Sequence, residues 1–321
     1  MVFKAPIRVA VTGCSGHIAY SFLAELAKGW VFGEDQPVII VFVEREGSNS
    51  STGIQMELED CAFQRLHGIE VGNQQEAFSN VDYIVMLGAL ARGPGMERSD
   101  LLYKNAKIFE EAGKNIQLFS RPDTKILVVG NPANTNALIL AKFAPKVAKN
   151  IVAMSQLDHN RAIGQISKKC NVTPGRVQNV FVFGNHSTTM VPIFSNVTVD
   201  GKKVVFDQDW ISNITAIIQK RGASIIQARG ASSALSAAHG ALDCIKSWHQ
   251  GTRQGEIVSV SIQAQAGNFY SIPESLFCSV PCICVDGRWE IQKLSIEPFY
   301  NKSISLTIQE LENEKKMAFG N

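Results

Sequence analysis

Ile7 to Thr12 is a short β-branched run that ends in Gly13-Cys14-Ser15-Gly16-His17-Ile18-Ala19, and an apolar-periodic helix, Tyr20 to Trp30, follows at once. No other stretch constrains the fold as much as this strand, glycine turn and helix. It is the arrangement that binds dinucleotides, because glycines let the backbone approach a pyrophosphate resting on the helix N-terminus. The glycines are spaced G-x-x-G, so the longer G-x-G-x-x-G fingerprint is matched only in part, and a plain strand-to-helix turn fits the same residues.

A second strand, Val38 to Val43, ends at Glu44, where an acid that binds ribose hydroxyls belongs. Glu44 lies 28 residues past Gly16, a long interval that the intervening helix and the Gly33 to Pro37 turn account for. Arg45 comes next and leaves the cofactor open between two forms. Glu44 repels a 2′-phosphate while Arg45 attracts one, so NAD is the expectation and NADP the alternative.

Helical periodicity continues over Gly53 to Leu66, and Asp82 to Leu87 reads as a buried strand. Three glycines and a proline make Gly88 to Arg98 a loop, with Arg92 and Arg98 six apart, which suits a lid over an anion. Ser99 caps a helix to about Gly113. Lys125 to Gly130 is a strand whose end, Asn131 to Asn136, places amide side chains at the carboxyl edge of the sheet. Alternation to this point predicts a Rossmann-like α/β domain, a doubly wound parallel sheet, over residues 1–153. Past Ala153 the alternation lapses. A hairpin around Asp200-Gly201, a long helix from Ser224 to Trp248, strands at Ile257 to Ile262 and Phe277 to Val285, and a helix from Thr307 to Met317 predict an α+β domain over residues 154–321.

A length of 321 residues suits two lobes. The net charge of +2 offers no basic field for nucleic acid. Seven cysteines without a CxxC pair argue against a disulfide framework and a zinc ribbon, and no metal is expected. No apolar run reaches the roughly 18 residues a membrane span needs, and a strand begins almost at Met1, so a cytoplasmic protein is expected.

The richest segment is Leu157-Asp158-His159-Asn160-Arg161-Ala162, followed by a buried-strand run, Val180 to Phe183, and Gly184-Asn185-His186-Ser187. Asp158 and Arg161, three apart on a helix, lie on neighbouring faces. One can face His186 and the other a substrate, although a helix cap and a surface ion pair use the same residues.

Six motifs in fixed order now carry a resemblance: Val11-Thr12-Gly13-x-x-Gly16, Met56 to Ala62, Arg92 to Leu102, Val129 to Asn136, Leu157 to Ala162, and Gly184 to Ser187. Together they resemble the malate dehydrogenases, cytosolic-type branch, of the lactate/malate dehydrogenase superfamily, over nearly the whole chain. The resemblance implies reversible hydride transfer between malate and a nicotinamide cofactor, giving oxaloacetate as in the tricarboxylic acid cycle, in a homodimer. It implies His186 as general acid-base, Asp158 as its orienting partner, and Arg161 as a bidentate grip on the carboxylate next to the reacting carbon. Arg98 polarises the carbonyl, Arg92 pairs the second carboxylate and so selects a dicarboxylate, and Asn131 bonds the substrate oxygen. Ser232 lines the pocket, with Ser233 as the alternative. Cofactor contacts fall to Gly13, Gly16, His17, Ile18, Glu44, Asn105, Val129, Gly130 and Asn131.

Three rival readings remain. One is a dehydrogenase of another 2-hydroxy acid such as lactate, which Arg92 opposes. Another is a short-chain dehydrogenase, whose Tyr-x-x-x-Lys pair Tyr103 and Lys107 satisfy too early in the chain. The third is a dinucleotide-binding protein without turnover.

Overall fold

Strand and helix alternate through the first half of the chain, and the strands of that half pair with one another in parallel. The computed structural model describes residues 4–45, 47–90 and 98–320, the side chains of Arg98 and Ser99 excepted. It separates into two units, Met1–Ala153 with Glu314–Asn321, and Met154–Asn313.

In the first unit the strands are β1 (Ile7–Thr12), β2 (Val38–Val43), β3 (Leu66–Gly72), β4 (Tyr83–Met86), β5 (Lys125–Val128) and β6 (Ile151–Met154). The helices are α1 (His17–Ala27), α2 (Thr52–Asp60), α3 (Gln74–Phe78), α4 (Arg98–Phe119) and α5 (Ala133–Phe143). The sheet order is β6-β5-β4-β1-β2-β3. Chain direction across the sheet therefore reverses between β1 and β4, and a ligand crevice belongs at the carboxyl ends of those strands. Val9, Val11, Ile84 and Ile126 are fully buried, as apolar strands covered on both faces require.

The helix expected over Tyr20 to Trp30 runs from His17 to Ala27, and the one expected over Thr307 to Met317 runs from Asn301 to Phe319; two further boundaries move for a local reason. The helix expected over Gly53 to Leu66 stops at Asp60, Ala62 adopts a left-handed φ of 48°, and Leu66 opens β3. That strand is half exposed, so it lacks the apolar run that marks its neighbours. Conversely α4 passes through Gly113 and ends at Phe119. Gly113 is there for packing, since a Cβ on it would lie 2.8 Å from Cβ of Phe143 in α5.

The second unit begins with α6 (Gln156–Cys170). Short strands follow: β7 (Val177–Gln178), β8 (Phe181–Phe183), β9 (Val191–Ile193), β10 (Thr198–Val199) and β11 (Lys202–Lys203). Then come α7 (Gln208–Arg229), α8 (Leu235–Gln250), the antiparallel β12 (Val258–Gln263), β13 (Phe277–Val285) and β14 (Arg288–Ile291), and α9 (Asn301–Phe319). The Asp200-Gly201 hairpin is present, with both residues at positive φ. The single long helix expected from Ser224 to Trp248 is two helices. Gly230, at φ 73°, ends α7, and residues 231–234 separate it from α8. All seven cysteines are free thiols.

Candidate active site

Burial of a carboxylate at a helix start organises the second unit's chemistry. Ser155 precedes α6, and its hydroxyl is taken up by Ser261 at 2.8 Å, so no side chain caps the helix. Asp158 sits in the first turn of α6, where the helix dipole favours its charge. Its side chain is 2% exposed and both oxygens are used. Oδ1 accepts from Nη1 of Arg161 at 3.0 Å, and Oδ2 accepts from Nδ1 of His186, which stands just past β8. The three-residue spacing of Asp158 and Arg161 thus closes a contact within one turn, and the same carboxylate holds the histidine.

Burial by itself would lower the pKa of the His186 imidazole. The charge and hydrogen bond of Asp158 outweigh burial and the opposing charge of Arg161, and the pKa rises above its ordinary 6.5. A carboxylate only accepts, so Nδ1 carries the shared proton and Nε2 is the nitrogen suited to exchange one. The Arg161 side chain is 12% exposed, and its second terminal nitrogen lies 3.5 Å from Oγ of Ser233. The hydroxyl beside the guanidinium is therefore that of Ser233. Ser232 is exposed, and its carbonyl accepts from Arg229.

His159 is a different kind of histidine. It is buried, its Nδ1 lies 3.0 Å from Oγ of Ser259, and burial drives its pKa down to about 4. A neutral imidazole there ties α6 to Ser259 of β12.

In the first unit a crevice of about 400 Å³ opens at the carboxyl ends of β1, β2 and β4. Its floor is main chain. Gly13 has φ +68°, and a Cβ there would fall 2.6 Å from Cα of Gly88. The Gly16 amide bonds to the Gly13 carbonyl at 3.0 Å, and Gly16 caps α1 without any side-chain bond. The helix thus presents a bare N-terminus, with His17 exposed and Ile18 half-buried in its first turn. Glu44 lines the crevice, and its Oε1 accepts from Ser51 N at 2.7 Å and Ser50 Oγ at 3.0 Å. Burial raises its pKa, but the bonds from Ser51 and Ser50 prevail and hold the carboxyl below its usual range. Arg45 is exposed at the rim. A glycine floor, an uncapped helix and an ionised acid at the second strand fit a dinucleotide.

Asn105 is fully buried, and its amide bonds Leu90 N and O and the carbonyl of Asn131, at 2.8, 3.2 and 3.2 Å. Its contribution is to hold backbone beside the crevice. Asn131 itself is exposed past β5, and the amides of Val129 and Gly130 both bond the Met86 carbonyl at 3.0 Å. Arg92 lies outside the described residues, and Arg98 is described only as the first residue of α4. Sequence reasoning missed the part played by Gly88 and Ser51; a glycine directly after an apolar strand was the available signal for the first.

Two family models together span almost the whole chain. One, described as lactate/malate dehydrogenase, NAD binding domain, matches residues 7–153. The other, lactate/malate dehydrogenase, alpha/beta C-terminal domain, matches residues 155–321. The cytoplasmic malate dehydrogenase of Caenorhabditis elegans is 43% identical over 325 residues, 97% of this chain and 96% of that one. The crystal structure of malate dehydrogenase from Naegleria fowleri has a TM-score of 0.94 at 37% identity, covering 99% of both chains. Trichomonas vaginalis lactate dehydrogenase in complex with NADH and oxamate has a TM-score of 0.92 at 31% identity, covering 98% of both.

Proposed function

Since this chain belongs to the lactate/malate dehydrogenase family, we propose that it interconverts (S)-malate and oxaloacetate with NAD as its cofactor. The observation that carries the reading is the Asp158 carboxylate divided between His186 and Arg161. One buried anion there aligns a proton carrier and an anion grip.

A bound nicotinamide supplies the two-electron half of the reaction, accepting or returning a hydride. The protein's residues manage the rest. Toward oxaloacetate, Nε2 of His186 takes the hydroxyl proton, and Asp158 stabilises the imidazolium that results. Toward malate, the same nitrogen returns it. Arg161 holds the carboxylate next to the reacting carbon with two parallel N–H bonds, which lysine does not reproduce. Arg98 stabilises charge on the carbonyl oxygen, Asn131 bonds that oxygen, and Arg92 pairs the second carboxylate. Leaving Arg92 unpaired in a closed site costs on the order of a few kcal/mol, which disfavours pyruvate.

NAD is favoured over NADP because the Glu44 carboxylate, held ionised by Ser50 and Ser51, repels a 2′-phosphate. Residues 1–153 serve as the cofactor domain and 154–321 as the catalytic domain of a homodimer. The name of the C. elegans relative supports a cytoplasmic location, and no helix among the described residues is long and apolar enough to cross a membrane. The direct test is loss of reduced-nicotinamide absorbance with oxaloacetate or pyruvate, each against NADH and NADPH. Turnover with oxaloacetate and NADH alone is expected. Preference for pyruvate overturns the substrate, preference for NADPH overturns the role of Glu44, and no turnover overturns the enzyme.

A further inference from the structure

On the turn that carries His186, three side-chain donors converge on one carboxylate oxygen of α9. Oε2 of Glu310 accepts from Nδ2 of Asn185 at 3.0 Å, from Oγ of Ser187, and from Oγ1 of Thr189 at 2.6 Å. These donors lie one residue before His186, one after it and three after it. One turn earlier on α9, the buried Thr307 accepts from the Asn185 amide at 2.9 Å and bonds Thr189 Oγ1 at 3.0 Å. The approach is close because residue 184 is glycine at φ +99°, where a Cβ would lie 2.3 Å from Cγ2 of Thr307. Three donors converging on one carboxylate oxygen make strong, directional bonds, and they fix the backbone on both sides of the histidine.

We propose that Glu310 is a positioning residue for His186, its oxygen locking the 185–189 turn so that the imidazole meets Asp158 and the substrate in register. The proposal rests on the functional reading above, and it requires acceptor geometry at position 310 more than charge. Glu310 touches neither substrate nor cofactor in this account; it acts through Asn185, Ser187 and Thr189.

The test compares the wild type with Glu310→Ala, Glu310→Gln and the double variant Ser187→Ala/Thr189→Val, which removes donors instead of the acceptor. Glu310→Ala is expected to lower kcat for oxaloacetate reduction by about 10²-fold, the scale of a misplaced catalytic group, with the KM for NADH unchanged. Glu310→Gln keeps an oxygen acceptor and should recover kcat to within roughly threefold of wild type. Combining Glu310→Ala with the donor variant should cost little beyond either alone. Full kcat in Glu310→Ala, no recovery in Glu310→Gln, or additive losses overturns the proposal. Proton NMR of the downfield His186–Asp158 proton separates this failure from that of the functional reading. A signal lost in Glu310→Ala and kept in Glu310→Gln sustains positioning even in a protein without turnover, and an unchanged signal overturns it.

Discussion

Nδ1 of His186 donates to Oδ2 of Asp158 from outside α6, while Arg161 reaches back one turn to the other oxygen of the same carboxylate. The proton that the reaction moves therefore belongs to Nε2, and its affinity is set by a charge on the far side of the ring. The His186 pKa stands above 6.5 for that reason. Oxaloacetate reduction needs the imidazolium, so its rate should be level at low pH and fall as pH rises through that raised pKa. Malate oxidation needs the neutral ring and should show the mirror image. Asp158→Asn should move both limbs to lower pH and reduce kcat by roughly 10⁴-fold, on the scale of a triad aspartate losing its charge. Pre-steady-state rates across pH, in both directions, check the pair.

Arg161→Lys keeps the positive charge and loses the fork. The KM for oxaloacetate should rise by about 30-fold, the worth of one charge-assisted bond, while the affinity for NADH stays constant. Initial rates with oxaloacetate varied at saturating NADH measure the first, and fluorescence titration with NADH measures the second.

Gly13→Ala places a methyl against main chain. The residue stands at φ +68° and its Cβ would meet Gly88 Cα at 2.6 Å, so neither partner yields as a flexible side chain does. A stability loss of about 2–4 kcal/mol is expected from chain strain and overpacking together. NADH affinity should fall at least tenfold, roughly, because the crevice floor itself moves. Denaturant unfolding and calorimetric titration read the two effects.

His159 makes the protein sensitive to acid. Its folded pKa is about 4 and its unfolded pKa about 6.5, so between those values the unfolded chain binds a proton that the folded chain refuses. Stability contributed by the neutral ring is complete above pH 6.5, is lost as pH falls toward 4, and changes no further below that. At about 1.4 kcal/mol per pH unit the whole effect is on the order of 3 kcal/mol. The difference in unfolding free energy between wild type and His159→Gln should shrink by that amount across the window. A constant difference would show that His159 titrates normally.

Much of this is legible in the amino-acid sequence. Strands β1, β2, β4 and β13 follow from apolar runs bounded by turn residues, because buried strands write continuous apolar stretches, and the hairpin follows from its Asp200-Gly201 turn. β3 was hidden, since an edge strand exposed on one face has no such run. Gly230 and Gly113 show why glycine alone does not punctuate a helix. The first ends α7 at positive φ, the second lets α4 press against Phe143, and the sequence around them does not say which. The Asp158, Arg161 and His186 grouping was visible through spacing and family resemblance. The choice between Ser232 and Ser233 stayed open and Glu310 went unnoticed, because each matters through a partner far away in the chain, Arg161 in one case and the 185–189 turn in the other.

One turn of α6 holds a carboxylate and a guanidinium. Its four consecutive side chains in fact leave in four directions: Asp158 to His186, His159 to Ser259 of β12, Asn160 to Asp243 of α8 at 2.9 Å, and Arg161 toward Ser233. The tetrapeptide is a junction box for the second unit. Substitutions remote from the chemistry, at Ser259 or Asp243, reach it through one intermediary each. A directed-evolution campaign aimed at new 2-hydroxy acids would find all four positions brittle, Asp158 and Arg161 through each other and His159 and Asn160 through separate partners. It would do better to seek its variation elsewhere in the pocket and leave this turn intact.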